Sequence, residues 1–309
     1  MRPAALLHVL AALALDPLLP GVVNKVKAGF AGRRGPPIFQ LWFDLAKLLR
    51  KGAVYSTTTT RVFRLGPCLG LGGVLVALLV APWGGGAALL SFQGDLLLFA
   101  ASLAMMRFAT VLAALDTGSA FEGMGASREV TFSALAEPAL LVGLLALARA
   151  AGSLSVSEIY HILTPGRLAA PGGVAVLLVA AAFGMVFLAE NARIPVDDPN
   201  THLELTMIHE VMALDHGGPD FAIIQYASAL KFWVLGTLVA GFVAPVREGE
   251  WLALGAMIAS LLVLSFGVGA LESVMARLRL LRVPNFLAGA LALSVLALVL
   301  SAYSRGGVG

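Results

Sequence analysis

Eight apolar stretches, each near the roughly 20 residues that cross a bilayer as a helix, take up most of this chain. They run over Ala4–Val23, Leu65–Pro82, Asp95–Leu115, Phe132–Ala151, Gly172–Ala189, Ala227–Pro245, Trp251–Glu272 and Val283–Tyr303. Only 13% of the residues are charged, against about 25% in soluble domains, so the folding medium is lipid. The expected fold is an all-α integral membrane protein: eight transmembrane helices in a single polytopic domain over residues 1–309, plus one interfacial amphipathic helix. No internal repeat shows, and no stretch is long enough for a separate soluble domain. Met1–Pro20 reads as a retained first helix rather than a signal peptide.

Orientation follows from the basic residues. Connections after helices one, three, five and seven hold fifteen of the 21: Lys25, Lys27, Arg33, Arg34, Lys47, Arg50, Lys51, Arg61, Arg64, Arg128, Arg193, Lys231, Arg277, Arg279 and Arg282. The opposite side holds Arg2, Arg149, Arg167, Arg247 and Arg305, and Arg107 lies inside a span. The positive-inside rule makes the first side cytoplasmic and both termini external, in a cell (inner) membrane. This sorting by side accounts for the net charge of +3 and a pI near 9.2, so nucleic acid is not the expected partner. The single cysteine, Cys68, excludes an internal disulfide framework and any iron–sulfur cluster held by this chain alone.

Between the first two spans Gly35-Pro36-Pro37 breaks the chain, and a helix is predicted over Ile38–Lys51. Gln40, Asp44, Lys47 and Lys51 share one face, with Trp42 among the apolar residues on the rest. Such a helix lies in the cytoplasmic interface, either as a lipid-surface anchor or as a wall of a ligand or partner site. Gly66 and Gly70 have small-xxx-small spacing, a pointer to close helix packing.

The polar residues gather in one place. Leu188–Lys231 contains Glu190, Asp197, Asp198, Glu204, Glu210, Asp215, Asp220 and the histidines His202, His209 and His216. A connection this long and acidic, leaving a membrane helix through a glutamate, points to function. Within the spans lie Asp16, Arg107, Glu137 and Glu272. Counted from the cytoplasmic end, Asp16 is about seven residues in, Arg107 about eight and Glu137 about five, with Glu272 at the edge; at ~1.5 Å per residue all fall in one half of the bilayer. Charges in lipid are costly unless paired or hydrated, which predicts either one shared polar chamber or structural ion pairs such as Arg107 with Glu137. Pro138 frees a backbone carbonyl beside Glu137.

Asp116–Thr131, with Glu122, Arg128 and Glu129, reads as a polar, bendable cytoplasmic loop whose glycines do not match a phosphate-binding pattern. His202 and His209 are seven apart and lack the spacing of a metal site, so no metal or haem is expected; the three histidines suit proton exchange or a partner surface.

These residues carry a resemblance. GRRGPPIFQLWFDLAKLLRK is similar to the stretch that follows the first helix of the proton-pumping NADH dehydrogenase membrane subunit and borders its quinone cavity. DTGSAFEGMGASREVTFSALAEP and LAENARIPVDDPNTHLELTMIHEVMALDHGGP resemble more closely the equivalent subunit of formate hydrogenlyase and of group 4 membrane-bound nickel–iron hydrogenases. The resemblance covers nearly the whole chain. It implies a membrane anchor that docks a peripheral electron-transfer arm and is not catalytic alone. Iron–sulfur clusters and nickel–iron would sit on partners: hydrogenase-like large and small subunits, an iron–sulfur subunit and antiporter-like membrane subunits. Glu129, Glu137, Glu190, Arg193, Asp197, Glu204 and Glu210 match the family's charged positions. Where quinone-reducing relatives carry a Glu-x-Glu-x-Glu-like run after Phe-Asp-Leu-Pro, this chain has Pro195-Val196-Asp197-Asp198-Pro199, which favours the hydrogenase branch. The expected assignments are a proton path through Glu137, Glu190, Arg107, Glu129, Asp16 and Glu272, and a docking surface or quinone-like cavity at Arg193, Asp197, Glu204, Glu210, Gln40 and Asp44. The alternatives are a quinone-site subunit of an NADH:quinone oxidoreductase or, from another class, a secondary ion transporter, for which the one-sided charges and absent repeat are a poor match.

Overall fold

A computed structural model describes residues 3–83, 86–162, 173–197, 207–243 and 249–306, with side chains to residue 303. The described residues form helices joined by short connections and contain no named strand. The first pass is α1 (Pro3–Leu15) and α2 (Leu18–Phe30), bent by 50° between them. The sequence predicts one uninterrupted span here; Pro17 has no N–H to donate and its ring crowds the preceding turn, so the helix breaks at Asp16–Pro17. The predicted interfacial helix is present as α3 (Gln40–Leu49), with Trp42, Phe43 and Leu49 on its exposed side.

The long helices follow: α4 (Arg61–Val80), α5 (Asp95–Asp116), α6 (Ala120–Ala151), α8 (Gly173–Glu190), α9 (Gly218–Val243), α10 (Glu250–Val274) and α11 (Val283–Gly306). Each is long and apolar enough to cross a membrane, and the bent α1–α2 pair brings the number to eight. A short α7 (Val156–Ile162), which the sequence does not announce, caps the end opposite the basic connections. Along the bundle α4 lies against α5, α11 against α6 and α8, and α10 against α2. The predicted small-residue contact is made at Gly66 but not at Gly70, where a Cβ would come no closer than 3.7 Å, to Met106; Gly73 takes its place. A side chain at Gly66 would meet the Ala109 carbonyl oxygen at 3.2 Å, and one at Gly73 the Ser102 carbonyl oxygen at 2.6 Å, so α4 and α5 approach backbone to backbone.

Two boundaries differ from the expectation. Asp116–Thr131 is not a loose loop; α6 begins at Ala120 and continues unbroken through Pro138 for 32 residues, about 48 Å. That length exceeds a ~30 Å hydrocarbon core, so the first turns project past it. The glycines that suggest flexibility serve contact instead. At Gly125 a Cβ would sit 3.0 Å from the Ile208 carbonyl oxygen and closer still to Val211, so the following connection packs directly on α6. The second difference is α9, which begins at Gly218 rather than Ala227. Lys231, counted among the connection's basic residues although it falls within the predicted span Ala227–Pro245, is well inside a spanning helix and buried.

Candidate functional site: a buried charge network at one end of the bundle

Arg107 sits midway along α5, where a lone guanidinium in lipid would be untenable. Its three nitrogens reach three carboxylates from two other helices. Nε is 3.1 Å from Glu129 and one terminal nitrogen is 2.5 Å from Glu190, while the other hydrogen-bonds Glu137. The planar fork of arginine presents donors in several directions at once, which an ammonium cannot do in fixed geometry. Glu190, at the end of α8, is shared with Lys231 of α9 at 3.7 Å. Four helices thus meet at one cluster.

The network continues into the connection after α8. His209 lies between Glu129, 3.2 Å from Nε2, and Asp197, 3.5 Å from Nδ1. Asp197 also takes Arg277 at 2.9 Å and accepts backbone N–H groups of Ile208 and His209. Burial disfavours the charged imidazole, yet the Glu129 and Asp197 carboxylates outweigh it and raise the His209 pKa above its ordinary value. Burial likewise pushes Asp197 up, but His209 and Arg277 hold its carboxyl below the usual range. The four carboxylates Glu129, Glu137, Glu190 and Asp197 face the three fixed cations Arg107, Lys231 and Arg277; protonated His209 balances the set.

Two small cavities flank this cluster. One of about 70 Å³, between α5 and α9, is bounded by Arg107, Glu129, Glu190, His209 and Lys231, with Ser228 and Thr110 adding hydroxyls. That is room for roughly two to five waters among polar partners. The other, about 10 Å³, lies on the far side of Glu129, Glu190 and His209. Carboxylates, an imidazole and room for water therefore lie within short distances of one another.

The remaining predicted residues fall elsewhere. Glu272 stands in a separate cluster, its side chain wholly buried, 2.8 Å from Lys27 of α2 and 3.6 Å from Arg193. Arg193 also lies over the Phe232 ring at 5.3 Å. Asp16, at the α1–α2 bend, is fully buried with neither carboxylate oxygen hydrogen-bonded. On α3 Gln40 donates to Asp44 at 2.9 Å. Arg193 and Asp197 are buried within the protein, whereas Glu210 is exposed at the start of a short 3-10 turn. Glu204, His202 and Asp198 lie outside the described residues. His216 stacks on Phe63, ring centres 3.9 Å apart, and burial lowers its pKa, keeping it neutral.

Lys231 and Arg277 are the members of the network that sequence reasoning missed, while His209 was read only as suited to proton exchange or a partner surface. The signal for Lys231 was the polar series Gln225, Ser228, Lys231 at helical spacing, legible once α9 is begun at Gly218. The connection carrying His209 is pinned by Arg128, which donates to the Met207 carbonyl at 2.8 Å, and by Glu122, which accepts from the Asp215 N–H at 3.0 Å.

Comparison with known proteins agrees with this architecture. Residues 3–302 match the NADH dehydrogenase family. Hydrogenase-4 component C of Escherichia coli (strain K12) is 32% identical over 84% of this chain and 80% of its own. Formate hydrogenlyase subunit 4 of the same organism is 31% identical over 89% and 90%. A membrane component of the NADH-quinone oxidoreductase of Verminephrobacter eiseniae (strain EF01-2) is 29% identical over 69% and 63%. A chain of the membrane-bound sulfane sulfur reductase, an archaeal respiratory membrane complex, shares the fold with a TM-score of 0.80 at 20% identity, covering 96% of this chain and 98% of that one.

Proposed function

Since this chain belongs to the NADH dehydrogenase family, we propose that it is the membrane-anchor subunit of a hydrogenase-like oxidoreductase complex of formate hydrogenlyase type. In that role it docks a peripheral electron-transfer module on its basic end and links the redox step to proton movement. The partners would be hydrogenase-like large and small subunits, an iron–sulfur subunit and further membrane subunits; iron–sulfur clusters and nickel–iron would belong to them. The basic end faces the cytoplasm and both termini lie outside a cell (inner) membrane, as the distribution of lysine and arginine favours.

One observation carries the proton reading. The network starts in the connection after α8, at Asp197 and His209, passes through Glu129, Arg107 and Glu190, and ends at Glu137, whose side chain is 41% exposed on the flank of the bundle. A carboxylate so exposed at membrane depth is costly against lipid. Glu137 therefore marks where a neighbouring membrane subunit packs and where a proton could leave sideways. The basic-end features α3 and the exposed Glu210, Leu214 and Asp215 supply a docking face beside the network's entrance.

Glu137→Gln in the intact complex, reconstituted into vesicles, tests this. Turnover of the peripheral module should continue while coupled acidification falls to background. Unchanged acidification would remove Glu137 from any proton path. Iron and nickel measured in subunits copurifying with the chain test the hydrogenase assignment; partners devoid of nickel would overturn it. For orientation, a cysteine in place of Asp215 should react with an impermeant thiol reagent only after lysis; labelling in intact cells would reverse the topology.

A further inference from the structure

A cavity of about 710 Å³ opens on the flank of the bundle between α8, α9, α10 and the start of α11, and takes no part in the charge network. Its walls are apolar throughout the membrane depth. The one hydroxyl, Ser260, already donates to the Ala256 carbonyl. Along α10 the cavity runs from Ala259 to Met275, ~24 Å of helix. One leaflet of hydrocarbon is about 15 Å deep, half of the ~30 Å core, so the groove exceeds it. Gly184 and Gly267 line it with open space where a Cβ would stand, so side chains could fill it without clash.

An apolar groove alone does not name its occupant; the charge at its mouth does. At the basic end the lining stops at Met275 and Phe286. The chain between them carries Arg277, Arg279 and Arg282 and no acidic residue. Arg277 is committed to Asp197 at 2.9 Å. Arg279 and Arg282 are exposed, and neither forms an ion pair among the described residues. Leu281 between them is 90% exposed. An apolar side chain flanked by two guanidinium groups suits the boundary between hydrocarbon and headgroups. Guanidinium also binds phosphate oxygens in paired hydrogen bonds.

We propose that this groove is a binding site for an anionic phospholipid, with an acyl chain lying between α8 and α10 and the headgroup phosphate held by Arg279 and Arg282. The site is independent of which redox module the chain serves. A transmembrane helix of a partner subunit is the competing occupant. It would fill the groove yet leave both arginines without their anion.

The test uses the whole complex purified in mild detergent, with two variants of this chain: Gly184→Leu with Gly267→Leu, which fills the groove, and Arg279→Gln with Arg282→Gln, which leaves it open. Tightly held lipid is extracted and identified after extensive washing. Exchange is then measured from vesicles of phosphatidylglycerol and, separately, phosphatidylcholine. Wild type should retain phosphatidylglycerol in preference to phosphatidylcholine, and the filled variant should retain neither. The arginine variant should lose its preference for the anionic lipid by about tenfold, the loss expected when charge-assisted phosphate bonds are removed. Equal retention by wild type and the filled variant overturns the site, as does an arginine variant with undiminished preference. If the filled variant fails to assemble, the arginine variant still decides. A photoreactive group at position 267 that captures a protein chain instead of phospholipid would also overturn the proposal and assign the groove to a partner helix.

Discussion

Among the described residues two buried ionic clusters lie at the same end of the bundle, built to opposite rules. Around Arg107, carboxylates outnumber the fixed cations: Glu129, Glu137 and Glu190 face Arg107 and Lys231, with cavities on either side and one acid reaching the flank. Around Glu272, among the described residues, Lys27 and Arg193 meet one carboxylate whose side chain has no exposed surface. A surplus of acids leaves one position free to take up or release a proton as its surroundings change. The Glu272 carboxylate between two cations holds three segments together: α2, α10 and the turn after α8. The first arrangement suits relay, the second a clamp. A charged residue in a span is thus no sign of transport until the balance around it is known.

Removing Arg107 should have the largest effect. Arg107→Met leaves three buried or half-buried acids without their common partner. Breaking a buried pair by deleting one member costs about 3–5 kcal/mol. Assembled complex in membranes should fall to a trace, measured by native electrophoresis. Adding Glu137→Gln to the same chain lowers the uncompensated charge and should recover part of the assembly without recovering proton coupling. Full recovery of coupling in the double variant would show that the cluster is a clamp too, and the contrast would collapse.

Glu272→Gln comes next. It removes the carboxylate that Lys27 and Arg193 share, but Lys27 is 21% exposed and can turn toward water, so the loss should be smaller than at Arg107. Assembly should drop several-fold, while the complexes that do form should pump as well as wild type per turnover. A selective loss of pumping would place Glu272 on the proton path and break the distinction from the other side. Glu137→Gln, by contrast, should leave assembly near normal because Glu129 and Glu190 still hold Arg107, and remove coupling alone.

The sequence discloses these clusters unevenly. Hydropathy places the spans because each is a long apolar run, and one-sided depth brings Arg107 and Glu137 together as a candidate pair. Depth says nothing of rotation about a helix axis. It therefore could not show that Glu129 and Glu190 turn toward the same guanidinium, nor that Glu272 turns away to Lys27. Glu129 was also hidden by its setting. The small polar residues before it read as a loop, although they are the close-packed first turns of α6, with Gly125 against Ile208. Lys231 was counted with the basic connection although it falls inside the predicted span Ala227–Pro245, and the helix that begins at Gly218 rather than Ala227 puts it deeper still. The bend at Asp16–Pro17 was foreshadowed by the proline alone, which membrane helices often absorb.

The smallest effect, and the finest probe of the contrast, is the pH dependence contributed by His209. It touches Glu129 and Asp197 directly, with Lys231 also acting on it, and the two carboxylates prevail. Its pKa in the folded protein is raised above the ordinary value of 6.5. A raised folded value means that the folded state binds the proton more tightly than the unfolded one. The stabilisation is then complete below about pH 6.5 and is lost as pH rises through the folded pKa. Thermal unfolding of the purified complex should fall in temperature across that window. In His209→Gln the slope over the same window should flatten, with little change at the alkaline end. His216 does not confuse the comparison, since its lowered pKa puts its titration below this range. Among the described residues the Glu272 cluster contains no histidine, so Glu272→Gln should lower the whole curve without altering its slope. Should His209→Gln instead shift the curve uniformly, the imidazole is a neutral spacer, and the acid-rich cluster carries its extra charge elsewhere, with Glu137 as the position to examine.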